Sequence, residues 1–340
     1  MDLKNKRIII SKTNQIGDVT FSLPMASALK KLEPSCQVIF LAREYTRALI
    51  EKYSDVDEFA DYESLVKGGM DSLVKGFKEL RADIFIHVIH EPTISKAAKM
   101  AEIPIRIGTC RRLINWFTCN RFVNIYRRYS RLHETQLDMH FLRPLGGKSL
   151  YSLKEIVELQ HYKPLQQKGS ISTLLNTNKF NLILHPKTRG EHIEWPPEHF
   201  ARLIQLLPPE TFQIFVTGNA KEGDQVRASM LTPFPHVVDL CGKLSFNELL
   251  HFIAGADGMI CASTGPVHLA ANFGINTLGL YAPIRPLDAG RWGPVGPKAE
   301  VLALKKNCSA CRKVKKCHCI AEITVDQVYA VVSRWEGSRR

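Results

Sequence analysis

Short runs of apolar, often β-branched residues, each closed by a polar loop and followed by an amphipathic stretch, recur along this chain. They constrain its fold more than any other feature. The first run is RIIIS over 7–11, with a helix expected over 19–32 in which Pro24 marks a kink or the regular start. A strand that is apolar on both faces belongs inside a parallel sheet covered by helices. QVIFLA (37–42), ADIFIHV (82–88) and PIRIG (104–108) repeat the pattern, with helices expected over 43–53 and 64–80. The rhythm lapses over 161–180, where Gln, Ser, Asn and Thr gather, and then restarts. Strands are expected at 181–185, 212–218, 237–240, 258–262 and 277–281, and helices at 196–207, 221–230, 245–256 and 266–273. Such alternation requires right-handed crossovers and parallel pairing. An α/β protein is therefore predicted, with two Rossmann-like, doubly wound domains facing a central cleft over 1–165 and 176–325, and a C-terminal helix or tail over 326–340. Ligands of such sheets lie beyond the carboxyl ends of the strands, so chemistry is sought in the loops that follow them.

The 340 residues suffice for two domains, and a hydrophobic share of 45% supplies their cores. No stretch approaches the roughly 18 apolar residues of a membrane span. The first residues show no apolar signal-peptide core. Nine cysteines, an odd number at irregular spacing, argue against a disulfide framework and for a reducing, cytoplasmic setting. Lys and Arg number 46 against 33 Asp and Glu, a net charge of +13. That balance favours anionic partners: nucleic acid, an anionic membrane surface or phosphorylated small molecules. The excess gathers at 305–316 and at 106–131, where seven arginines interleave with Trp116, Phe117, Phe122, Tyr126 and Tyr129.

Particular loops carry candidate residues. In CASTGPVHLAANFG (261–274) a strand ends, Ser263, Thr264 and Gly265 turn the chain, and Pro266 takes the first helical position. The free N–H groups of that turn suit an anion, and Thr264 and His268, four apart, reach toward the same ligand. The alternative is an ordinary helix cap with a satisfied, buried histidine. In HPKTRGEHIEWPPEHF (185–200), Lys187, Thr188 and Arg189 follow a strand end; two cations and a hydroxyl suit a phosphate, or else form a solvated basic loop. Asp18, just after the first strand, is either a helix cap or a general base on a cleft wall. Cys308, Cys311, Cys317 and Cys319, beside His318, offer a zinc site or reduced thiols in a basic loop, although the closing C-x-C is not a zinc-ribbon knuckle. Neither GxGxxG nor a P-loop is present.

Taken in chain order, IGDVTFSLPMASALKKL, HETQLDMHFLRPLG, HPKTRGEHIEWPPEHF and GKLSFNELLHFIAGADGMICASTGPVHLAANFGINTLGLYAP resemble the ADP-heptose:lipopolysaccharide heptosyltransferases and their relatives, glycosyltransferase family 9. The likeness runs along nearly the whole chain, with its motifs in the family's order. It implies a GT-B fold whose N-terminal domain binds the acceptor and whose C-terminal domain binds a nucleotide-sugar. Transfer would be inverting and metal-independent, with no cofactor. Asp18 would be the catalytic base. Lys187, Thr188, Arg189, Ser263, Thr264, Gly265 and His268 would hold the donor, with Glu222 on the ribose and Leu244 on the base. Gly17, Arg111, Arg112 and His133 are the acceptor-side candidates. Family acceptors are phosphorylated, lipid-anchored sugars at the cytoplasmic face of the inner membrane. That gives the 106–131 segment a use, with arginines on phosphates and aromatics near an anionic interface, the alternative being a solubilising face.

Two positions depart from the family pattern. Well-studied members carry Lys two residues before the Trp of the WP pair, where this chain has Ile193. They often have Asp before the Thr/Ser-Gly turn, where this chain has Ser263. The implied activity is transfer of a heptose or related sugar from a nucleoside-diphosphate donor, ADP-linked first, to a lipopolysaccharide core or similar envelope glycan. Two other classes stay open: a nucleotide-sugar epimerase of the same fold, and a basic zinc- and nucleic-acid-binding protein.

Overall fold

The computed structural model describes residues 1–166, 170–188, 193–283, 288–304 and 318–338, within two compact units, Met1–Pro164 and Leu165–Arg340. In the first unit, parallel strands β1 (Arg7–Ser11), β2 (Gln37–Ala42), β3 (Glu58–Asp61), β4 (Ile84–His87), β5 (Ile105–Thr109) and β6 (Arg121–Val123) stand in the order β3-β2-β1-β4-β5-β6. β1 lies at the centre, Ile8 pairing with Val38 on one side and Ile84 on the other. Its isoleucines are fully buried, which is why this run shows no polar alternation. β1 feeds two helices where the sequence suggested one, α1 (Ile16–Ser22) and α2 (Pro24–Leu32). Pro24 has no N–H to continue the ladder of α1, so the chain restarts there. α3 (Gly69–Glu79) and α4 (Pro92–Met100) close one face of the sheet, burying Phe77 and Ile94 against Ile9 and Phe85. Gly76 allows a close approach in α3, since a Cβ there would run into Leu65 Cδ2. α5 (Leu113–Thr118) and α6 (Glu134–Met139) follow β5 and β6.

The second unit repeats the plan. Strands β7 (Phe180–His185), β8 (Phe212–Val216), β9 (Val238–Asp239), β10 (Gly258–Ala262), β11 (Asn276–Tyr281) and β12 (Ala299–Ala303) stand in the order β12-β11-β10-β7-β8-β9, all parallel. Its helices include α7 (Pro197–Leu206), α8 (Ala220–Val226), α9 (Phe246–Gly255), α10 (Gly265–Asn272) and α11 (Val325–Trp335). α10 stops at Gly274, whose φ of +70° is the left-handed turn a helix end needs before β11. α11 packs Val328, Val332 and Trp335 into the same core as Trp195 and Phe200. Among the described residues no helix is long and apolar enough to cross a membrane.

Candidate active site

Each sheet is wound outward in both directions from its first strand, so its crevice opens between the first and fourth strands at their carboxyl ends. In the second unit that point lies between β7 and β10, where Cys261 stands beside His185. The loop leaving β10 enters α10 through Thr264, whose backbone is extended (φ −152°, ψ 164°) and whose hydroxyl makes no capping bond. Pro266 sits in the first turn, and the remaining N–H groups with the positive helix end face any anion placed there. His268 follows one turn later and is buried. Ser263 is buried too; nearby, the Tyr281 hydroxyl donates to the Trp292 carbonyl at 2.8 Å, and burial pushes that phenol far above its ordinary range.

The loop leaving β7 is closed by a carboxylate of the chain itself. Lys187 pairs with Glu194, and Thr188 donates to the same carboxylate from its N–H at 2.8 Å and its hydroxyl at 3.2 Å. Three donors converge on one anionic group, the arrangement a phosphate would also use. Ile193 packs against the unit's core, so no cation projects from the position that carries Lys elsewhere. Beyond β8, Asn219 and Glu222 cap α8 reciprocally: the Asn219 N–H donates to Glu222 Oε2 (2.7 Å) and the Glu222 N–H to Asn219 Oδ1 (3.0 Å). Glu222 is therefore buried and held in one orientation. Leu244 is half-buried just before Ser245, the cap of α9. Arg189, His192, Cys308, Cys311 and Cys317 lie outside the described residues. Cys319 is buried, and among the described residues no group of three His, Cys, Asp or Glu is placed to hold a metal.

In the first unit the crevice opens between β1 and β4, where Ser11 stands beside His87. Asp18 lies in the first turn of α1 and is half-buried, next to Gly17. The capping position belongs to Gln15, which makes no side-chain cap bond, so Asp18 is not the N-cap. On the β4 side, His87 stacks on Phe85 at 4.3 Å, and neither ring nitrogen has a hydrogen-bond partner among the described residues. Burial above all, then the charges of Arg106 and His90, lower its pKa to about 3, so it is neutral. Ser11 Oγ and Asn14 Oδ1 are also buried without partners among the described residues. Arg111 and Arg112 lie exposed beyond β5; burial, and then the charge of Arg112, lower the pKa of His90.

Residues 75–320 match the sequence model of glycosyltransferase family 9 (heptosyltransferase). The chain belongs to this family. Lipopolysaccharide heptosyltransferase 1 of Escherichia coli K12 is 24% identical over 298 residues, covering 84% of this chain and 91% of the relative. Among solved structures, Escherichia coli ADP-heptose lipopolysaccharide heptosyltransferase II superposes with a TM-score of 0.76 at 19% identity, over 98% of this chain and 99% of its own. An Escherichia coli heptosyltransferase with ADP gives a TM-score of 0.68 at 18% identity, over 97% and 99%. The two wound units are those of the GT-B fold, and this family 9 protein is a glycosyltransferase.

In this glycosyltransferase the helix bearing Asp18 is held by residues that sequence reasoning missed. Lys12, six positions before Asp18, donates to Asp138 Oδ2 at 2.9 Å; their side chains are 3% and 0% exposed. Ser22, at the end of α1, donates to the same oxygen at 2.6 Å, and Arg127 to Asp138 Oδ1 at 2.7 Å and also to Glu134. Burial alone would raise the Asp138 carboxyl, but the charges of Lys12 and Arg127, with hydrogen bonds from Ser22 and Arg127, hold it below the ordinary range. Thr135 adds a bond to the Phe21 carbonyl at 2.7 Å. One sequence signal was available: Glu134 and Asp138 are like charges four apart on a short helix, an arrangement that calls for a cation between them.

His133, an acceptor-side candidate, also belongs to this clamp. It is 3% exposed, accepts the Thr135 N–H on Nδ1, and meets the Phe21 ring edge-on at 5.1 Å. The side chain caps α6 and packs it on α1. Arg127, counted among the surface arginines of 106–131, also turns inward.

Proposed function

We propose that this glycosyltransferase moves a heptose or closely related sugar, with inversion, from an ADP-linked donor to a phosphorylated, lipid-anchored sugar of the lipopolysaccharide-core kind at the cytoplasmic face of the inner membrane. The supporting observation is that the candidate chemistry sits at the switch point of each unit: a carboxylate after β1, and an anion-ready helix start with Lys187 and Thr188 after β10 and β7. Asp18 takes the proton of the acceptor hydroxyl as its oxygen attacks the anomeric carbon, and the bond from that carbon to the diphosphate breaks. The departing diphosphate gains charge, and in this reading the N–H groups at Thr264 and Gly265, with Lys187, Thr188 and Arg189, receive it. Ser263 and His268 line the sugar side, Glu222 takes the ribose hydroxyls and Leu244 the base. Gly17, Arg111, Arg112 and His133 serve the acceptor. The choice of ADP rests on relatives solved with ADP and with ADP-2-deoxy-2-fluoro heptose.

Thermal melting with ADP, UDP, GDP and CDP tests the donor. Binding to the folded state alone adds about 2.7 kcal/mol at a hundred times the dissociation constant, so a selective rise with ADP is expected. A selective rise with another nucleotide would discard ADP-heptose and keep the transferase. No rise with any of them would remove the donor site from β7 and β10.

Glu194 gives a second expected result. Because it occupies Lys187 and Thr188, it competes with the diphosphate. Glu194→Gln is expected to tighten ADP binding roughly fivefold, the scale of about 1 kcal/mol for a partly exposed ion pair. Titration calorimetry checks it, and unchanged affinity would mean that Lys187 does not reach the nucleotide.

A further inference from the structure

Between Glu102 and Glu134 the chain has no acidic residue and seven arginines. Two of these, Arg106 and Arg127, are turned inward onto backbone carbonyls and carboxylates. The other five, Arg111, Arg112, Arg121, Arg128 and Arg131, are exposed. Among them stand large apolar side chains that the fold leaves in water: Leu113 is 77% exposed, Phe117 65%, Tyr129 65% and Trp116 59%. Leu113, Trp116 and Phe117 are spaced i, i+3, i+4 on α5 and so share one side of it. The patch is built, not frayed. Trp116 donates to the Cys110 carbonyl at 2.9 Å and stacks on Phe122 at 5.1 Å; Arg111 lies over Tyr126 at 4.9 Å, and Tyr126 meets Tyr129 at 4.8 Å.

Apolar side chains held out in water at this density mark a surface that something covers. We propose that α5 and the flanking segment Arg121–Arg131 form the face by which the first unit docks on an anionic lipid bilayer. Leu113 and Phe117 enter the interface, Trp116, Tyr126 and Tyr129 sit at headgroup depth, and Arg121, Arg128 and Arg131 pair with lipid phosphates. The chemistry favours a bilayer over other partners. Trp and Tyr rings with arginines suit the boundary between hydrocarbon and water. Stable peripheral anchoring takes two signals, such as an apolar one and a cationic one, and both are present here. The acid-free run excludes the repulsion that a negative surface would impose. The proposal deepens the lipid-anchored-acceptor reading and rests on it for the identity of the membrane, but binding itself needs neither donor nor acceptor.

The test is flotation of the purified full chain with vesicles of phosphatidylethanolamine and phosphatidylglycerol, and with phosphatidylcholine vesicles as control. The wild type should float with the first, lose most binding in high salt, and ignore the second. Leu113→Ser/Phe117→Ser and Arg121→Gln/Arg131→Gln should each weaken binding about tenfold, the scale expected for losing one of two signals. Both should keep the wild-type melting temperature and full activity on a water-soluble, delipidated acceptor. Equal flotation of wild type and both variants, or none for the wild type, would overturn the docking face. So would salt-sensitive RNA binding, or a concentration-dependent dimer, in place of vesicle binding. Transfer to the soluble acceptor without flotation sinks this proposal alone. Flotation without transfer to any acceptor sinks the transferase reading and leaves the docking face standing.

Discussion

Replacing Asp18 by Asn is expected to lower kcat for sugar transfer about a thousandfold, with the KM for the donor little changed and the melting temperature within a few degrees of wild type. The separation of those effects decides what the residue does. A positioned general base contributes roughly 10²–10⁴-fold to a rate. An acidic side chain in the first turn of a helix contributes only about 0.3–1 kcal/mol to stability through the dipole. Asp18 stands in the first turn of α1 without occupying the capping position, so both contributions are available to it. Asn keeps the size and loses the charge and the basicity. A base explains a large loss of kcat in a protein that melts normally, and a dipole partner explains a small drop in melting temperature with normal turnover. Steady-state rates at saturating donor, beside a thermal melt, measure both. A variant that keeps a tenth or more of the wild-type rate would return Asp18 to helix chemistry alone.

The central strands were legible because burial on both faces forces an unbroken apolar run: Ile8, Ile9 and Ile10 in β1, and Leu182, Ile183 and Leu184 in β7, all fully buried. The outer strands β3, β6 and β12 escaped. Glu58–Asp61 and Arg121–Val123 carry charged or exposed residues, and Ala299–Ala303 is only partly buried along its length. An edge strand is paired on one side only, so its sequence need not be apolar. The candidate loops were legible by position, since Asp18, Lys187 and Thr264 each follow a strand at a crevice. What sequence could not supply was partnership. Nothing in the order of residues says that Glu194 folds back onto Lys187 and Thr188, or that His133 turns inward to cap α6. Lys12 and Asp138 are 126 residues apart, and only the packing of α6 on α1 joins them.

That pair carries the second large effect. Asp138→Asn is expected to lower the melting temperature by roughly 10 °C, because losing one member of a buried ion pair costs about 3–5 kcal/mol. Lys12 and Arg127 would then face an uncharged group in a site that excludes water. The pH dependence should change with it. Asp138 is held below the ordinary carboxylate range, so its contribution is present above the unfolded-state pKa and is lost as pH falls through the folded value. Wild type therefore loses stability in acid by a limb that the Asn variant lacks, and melts recorded from pH 7 downward should converge. Removing the pair in Lys12→Met/Asp138→Leu should recover much of the loss, as apolar replacement of buried pairs often does, while Arg127 keeps its pairing with Glu134. Turnover of that double variant separates two roles for the clamp. If it melts like wild type yet transfers sugar at least tenfold more slowly, the ion pair sets the position of α1 and of Asp18 upon it. If turnover recovers along with stability, any filling that seats α6 on α1 will do, and the buried charges serve folding alone.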